Sequence, residues 1–226
     1  MRNLLSLLFV AIGPIVATRA LASEPADNAP QSIVWTFERL DSIAGHKPTL
    51  VGSPRMIDAP QGKAIQFDGL SDGLFLDANP LAGLSVFTAE VVFQPAEGGA
   101  KEQRFLHFQE DGSENRLLFE IRIIEGKRWF LDTFIKSGEG NHTLFAEKSP
   151  HPIGPWYHAA VVMDGKTMRH FVNGVEELST AIAYQPQGQG HSSVGVRINK
   201  VSWYKGAVRQ IRITPRALKP DEFFKP

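Results

Sequence analysis

An antiparallel two-sheet β-sandwich, all-β in class, is predicted by three features of the sequence. Short apolar runs recur along most of the chain, the breaks between them are filled by Gly, Pro, Asn or Asp, and no window sustains a helical period beyond a turn at 220–224. The clearest segment runs from Trp156 to Gly174. Residues 157–163 and 168–172 read as strands, and Asp164-Gly165 and Asn173-Gly174 as turns, because these dipeptides tolerate positive φ where the runs stop.

The other predicted strands are 33–37, 64–67, 74–76, 87–93, 104–108, 117–124, 129–135, 193–198 and 207–213. Alternation assigns their faces. In the run through Ile124, Phe119, Ile121 and Ile123 point one way and Glu120 and Arg122 the other; in 87–93, Phe87, Ala89, Val91 and Phe93 look inward and Glu90 and Val92 outward. Many short strands without intervening helices favour a sandwich or jelly roll over any α/β arrangement.

Arg2, the apolar run that follows it and Ala20-Leu21-Ala22 have the form of a signal peptide, residues 1–22. Gly13 and Pro14 interrupt the run, which is short for a bilayer core needing roughly 20 apolar residues, so no stable membrane anchor is expected and the protein is read as secreted or periplasmic. A polar leader, 23–31, precedes one domain, 32–224. Removal of 1–22 leaves 204 residues with 22 basic against 24 acidic side chains, a net charge of −2. A near-neutral chain without a basic cluster lacks the footprint of nucleic-acid binding. With 0 cysteines there are no disulfides, thiolate metal sites or cysteine nucleophiles, and a domain of this size can bury enough apolar surface without such staples.

The segments Ala64-Ile65-Gln66-Phe67-Asp68-Gly69 with Gly73-Leu74-Phe75-Leu76, 87–95, the 156–174 hairpin and 204–213 with its tail to Phe223 occur in one order over most of 32–224. In that order the chain resembles the laminin-G-like, concanavalin A-like lectin/glucanase jelly-roll domains. The resemblance implies a jelly roll and, as the commonest theme of such domains, carbohydrate recognition; fold alone does not set function. Two positions depart from the pattern: Arg209 stands where an acidic residue is usual, and Val92 where many members carry Trp. Arg209 weakens any calcium site that relied on that carboxylate, because calcium requires oxygen ligands.

Glu120-Ile121-Arg122-Ile123-Ile124-Glu125 resembles the catalytic strand of β-glucanases on this fold, in which two glutamates flank an aspartate. A retaining glycosidase needs a nucleophile and an acid/base about 5 Å apart. Arg122 at the central position opposes holding a neighbouring glutamate protonated, so the strand reads instead as a Glu–Arg pair on a polar face. Asp68, Asp72 and Asp77 lie in Gly-rich turns, where they serve either as turn formers or as ligands of a structural calcium. His107 and His170 alternate with apolar residues and are either groove-facing or satisfied within the fold. Sugar binding needs exposed rings beside polar groups, for which Trp129, Trp203 and Tyr204 are the candidates, with Trp35 and Trp156 assigned to packing.

The expectation is a secreted non-catalytic module that binds carbohydrate or an extracellular glycoconjugate through Glu90, Glu120, Arg122, Trp129 and Trp203. Its alternatives are a β-glucanase-type glycoside hydrolase using Glu120 and Glu125, and an adhesion or scaffold domain with a protein partner.

Overall fold

The computed structural model describes residues 31–125 and 127–225. The expected signal segment and residues 23–30 of the leader lie outside the described residues.

Among the described residues, sixteen strands form two antiparallel sheets of eight. The first contains β1 (Ile33–Thr36), β3 (Arg55–Ala59), β4 (Gly62–Asp68), β6 (Phe87–Pro95), β12 (Tyr157–Met163), β13 (Thr167–Val172), β14 (Val175–Ala181) and β16 (Lys205–Thr214). The second contains β2 (Thr49–Val51), β5 (Gly73–Leu76), β7 (Glu102–Glu110), β8 (Arg116–Ile124), β9 (Arg128–Ser137), β10 (Gly140–Phe145), β11 (His151–Pro152) and β15 (Gly190–Val194). The first has the order β14-β13-β12-β6-β16-β4-β3 with β1 also on β16; the second runs β10-β9-β8-β7-β15-β5-β2 with β11 also on β9. A 3₁₀ turn, Pro220–Glu222, stands where the sequence predicts a turn.

The hairpin that dominates the sequence forms as expected. Asp164 Oδ1 accepts the Lys166 and Thr167 N–H groups, and Asn173 and Gly174 take φ values of 50° and 81°. The strand predicted at 193–198 instead ends at Val194, because Gly195 at φ 82° turns the chain away.

The inward residues of both sheets meet in one core. Phe93 stacks on Phe105 at 4.4 Å, and Trp129 packs edge-on against Phe93 at 5.2 Å and Tyr157 at 4.9 Å. Such pairs add about 0.5–1.5 kcal/mol each beyond the area they bury. No helix among the described residues is long and apolar enough to cross a membrane.

Strand parity is right for Glu90, but its face of the first sheet is not open. The tail after Thr214 folds across it, placing Leu218 and Phe223 on Ala160, Val162 and Phe171. Thr88 Oγ1 donates to the Arg216 carbonyl at 2.8 Å and accepts the Leu218 N–H at 2.9 Å, fixing that tail. On the outer face of the second sheet, the segment after Gly195 reaches His107 Nδ1 through the Ile198 N–H and leaves a recess that Arg197 helps to line.

Candidate functional site

The outer face of the second sheet presents a cleft of about 190 Å³ lined by Arg104, Arg116, Leu118, Glu120, Arg122, Asp132, Phe134, Thr143 and Arg197. Its rows follow from strand register. Arg104, Glu120 and Asp132 are cross-strand partners on β7, β8 and β9, and His107, Leu118, Phe134 and Thr143 form a parallel row from β7 to β10. A bulge on β7 makes the first row: the register shifts between Arg104 and Leu106, so that Phe105 and Leu106 both enter the core while Arg104 stays on the outer face opposite Glu120.

Glu120 and Asp132 are buried carboxylates held by arginines. Arg104 Nε lies 3.0 Å from Glu120 Oε1, Arg122 Nη2 lies 3.3 Å from Glu120 Oε2, and Arg122 Nε donates to Asp132 Oδ2 at 2.7 Å. Glu102, half-exposed at the rim, also pairs with Arg104 and Arg122. Burial pushes the Glu120 carboxyl above its ordinary value against the attraction of Arg104, and Asp132 beside it adds to the rise. Burial likewise raises Asp132, opposed by its hydrogen bond from Arg122.

The cleft is incompletely satisfied. Among the described residues, Arg116 Nε, His107 Nε2 and Asp132 Oδ1 are buried without a hydrogen-bond partner, whereas Arg104 Nε meets Glu120 Oε1. A buried polar atom left unpaired costs about 1–3 kcal/mol, and two of these three, Arg116 Nε and Asp132 Oδ1, belong to residues that line the recess. His107 is held neutral, its pKa lowered to about 3 by burial and then by the charges of Arg197, Arg116 and Arg104. The Arg116 guanidinium lies 4.8 Å from the centre of the Phe134 ring, and Phe145, which is 44% exposed, stands at the rim under Arg122.

The residues singled out in the sequence separate. Glu120 and Arg122 line the cleft. Glu90 lies on the other sheet, fully buried beneath the tail, where it accepts from His158 Nε2 at 3.0 Å and the Phe224 N–H at 2.9 Å and pairs with Arg212 at 2.5 Å; it is a structural clamp. Trp129 is fully buried, donating its indole N–H to the Pro152 carbonyl at 3.1 Å, and offers no ring face to a ligand. Tyr204 is buried too, whereas Trp203 is partly exposed but does not line the cleft. Glu125 sits in the β8–β9 turn at φ 53°, exposed and paired with Arg128 at 2.8 Å. Five residues along the strand from Glu120, roughly 16 Å away, it cannot form a catalytic pair with it. The carboxylate that does neighbour Glu120 is Asp132. His107 faces the cleft side, while His170 points into the core and bonds Thr133 Oγ1 at 2.9 Å.

The three turn aspartates do not converge. Asp68 accepts the N–H groups of Leu70, Ser71 and Asp72, and Asp72 accepts those of Ser53 and Asp68. Partial burial raises Asp68, and the N–H donors of Ser71, Leu70 and Asp72 outweigh it, holding its pKa at about 2. Asp77 is exposed elsewhere, 3.6 Å from His191. Carboxylates already filled by N–H donors do not fit a calcium ion, and no group of three or more His, Asp or Glu side chains suited to a metal occurs among the described residues. Arg209, the departure noted in the sequence, donates to the Pro60 carbonyl at 2.8 Å.

Sequence reasoning missed Arg104, Arg116, Asp132, Phe134 and Arg197. Two signals pointed to part of the set. Adjacent Phe105-Leu106 in an otherwise alternating strand implies the bulge, and the pairing of Ile124 with Arg128 aligns Glu120 with Asp132 by counting back from it.

No curated protein matches the chain in sequence. Among solved structures it is similar to domain 4 of AbnA, a GH43 extracellular arabinanase from Geobacillus stearothermophilus in complex with arabinotriose, with a TM-score of 0.62 and 19% identity over 84% of this chain and 94% of that one. It is also similar to the binding domain of Paraclostridial Mosquitocidal Protein 1, with a TM-score of 0.62 and 14% identity. The receptor binding domain of the botulinum neurotoxin C/D mosaic serotype matches with a TM-score of 0.61 and 9% identity. In both of these, 84% of this chain aligns with about half of the longer structure, 50% and 49% respectively. At these identities the likeness is one of fold. The family model of laminin-G type matches residues 68–223, and with the two stacked sheets it shows that the chain belongs to the concanavalin A-like lectin/glucanases superfamily.

Proposed function

We propose that this is a secreted or periplasmic, non-catalytic module that binds carbohydrate or a glycoconjugate in the cleft on the outer face of β7–β10. The observation that carries the reading is the convergence in one cleft of four arginines and two buried carboxylates, with the buried Arg116 Nε and Asp132 Oδ1 unpaired, beside the partly exposed Phe134 ring. Polar groups for sugar hydroxyls beside an aromatic face are what a sugar site requires. The cleft is smaller than the roughly 300–1,000 Å³ of pockets that enclose drug-sized ligands, which suits one sugar ring or one chain end. The arabinotriose-bound arabinanase domain supports the reading by analogy.

A hydrolytic reading would need one of Glu120 and Asp132 to donate a proton; burial raises both carboxyls while the arginines paired with them oppose it, and release of reducing ends is the measurement that decides it. Titration calorimetry of residues 23–226 against an oligosaccharide panel tests the proposal. Binding is expected, and Phe134→Ala, which removes the ring face, should abolish it while circular dichroism is unchanged. Reducing-end release, or capture of a protein partner that persists after glycan removal while no sugar binds, would overturn it.

A further inference from the structure

We propose that the cleft selects sugars carrying an anionic group, a carboxylate or a sulfate ester, and that Arg116 and Arg197 receive that group. The inference rests on the glycan-binding reading above and adds its charge class.

The charges of the cleft divide into two ends. At one, Glu102, Glu120 and Asp132 face Arg104 and Arg122, so acids compensate bases. At the other stand Arg116 and Arg197. The carboxylate paired with Arg116 is Glu114, whose side chain is 77% exposed and screened by water. Arg197, partly buried, makes no ion pair among the described residues, and burial draws it below the ordinary arginine value, with Arg116 and Arg104 adding repulsion. Two partly desolvated guanidiniums in one recess without a buried acid between them are unfavourable until an anion joins them.

The unpaired atoms agree. His107 Nδ1 accepts the Ile198 N–H at 3.1 Å, so the proton of its neutral ring sits on Nε2, a buried donor without a partner. Arg116 Nε is a second such donor, against one unpaired acceptor, Asp132 Oδ1. The Arg116–Arg197 end of the recess, with only the exposed Glu114 against two guanidiniums, is complementary to oxygens that carry negative charge. The Arg116 guanidinium lies over the Phe134 ring, a contact that restricts its position before a ligand arrives.

The test is titration of residues 23–226 with acidic oligosaccharides, one set uronic and one sulfated, each matched to its carboxyl-reduced or desulfated neutral form. At least one acidic member should bind about tenfold or more tighter than its neutral match, as expected for a charge-assisted contact. Arg197→Gln and Arg116→Gln should each remove most of that preference, and Arg197→Lys, which keeps charge without the fork, should recover part of it. Which set shows the preference identifies carboxylate or sulfate as the source. Equal or better binding of the neutral forms overturns the inference and leaves the glycan-binding reading standing. Failure of the folded domain to bind any member overturns both.

Discussion

Glu90 and Glu120 are both buried glutamates on the outer side of a sheet, and each is gripped by arginine, yet the two regions around them end differently. Around Glu90 the carboxylate is filled by Arg212, His158 and the Phe224 N–H, and the tail seals the face. Burial raises its pKa, but the hydrogen bonds from His158 and Arg212 outweigh burial and leave it lowered. Around Glu120 both carboxylate oxygens meet arginines, but Arg116 Nε and Asp132 Oδ1 in the same recess are unpaired, and burial wins, leaving the Glu120 pKa raised. The same residue types thus make a joint sealed by the tail on one sheet and an open cleft on the other. The difference lies in whether the chain itself covers the face.

The strongest break of this comparison is a pair of isosteric changes. A lowered pKa means the fold stabilises the ionised form, so Glu90→Gln should cost about 3 kcal/mol by leaving the partly buried Arg212 underpaired. A raised pKa means the fold disfavours the charge, so Glu120→Gln should leave stability within about 1 kcal/mol of the parent or raise it. Denaturant unfolding of both variants decides the matter, and equal losses would dissolve the distinction.

Acid sharpens the comparison at a smaller scale. The pKa of His107 is lowered to about 3 and that of His170 to about 4, both chiefly by burial, from 6.5 in the unfolded chain. Between those limits the unfolded state binds more protons, so the histidine contribution to stability is present above pH 6.5 and is lost as pH falls toward 4 and 3. The slope is about 1.4 kcal/mol per pH unit for each histidine. His107→Gln should flatten the profile of midpoint against pH on the open face, and His170→Gln should do so in the core; an unchanged slope in both would refute the assignment. The smallest effect is expected for Phe134→Leu, which removes the Arg116 contact and should cost only about 0.5–1 kcal/mol in thermal unfolding.

Part of this was legible in the residues. Strands that face the core on one side announce themselves by alternation, as in Phe119, Ile121 and Ile123 against Glu120 and Arg122. Strands β2, β3, β10, β11 and β14 were not predicted. They lie at or beside sheet edges and expose much of both faces, so they carry little apolar period to read. Trp129 and Tyr204 were misassigned because a ring near a turn can face either way, and only the opposing sheet determines that it is enclosed. Glu90 was misassigned for a related reason: parity gives the face of a sheet, not what lies on top of it.

The sequence by itself determined the sandwich, the hairpin turns and the inward set of most core strands, since these depend on side-chain period and on φ tolerance within a few residues. The tertiary structure alone decided which outer face stays open and that Arg104, Arg116, Arg122 and Arg197 gather in one recess with Glu120 and Asp132. Those outcomes depend on the β7 bulge, on cross-strand register and on where the C-terminal tail docks. Such pairings join residues far apart in the chain, and no local pattern encodes them.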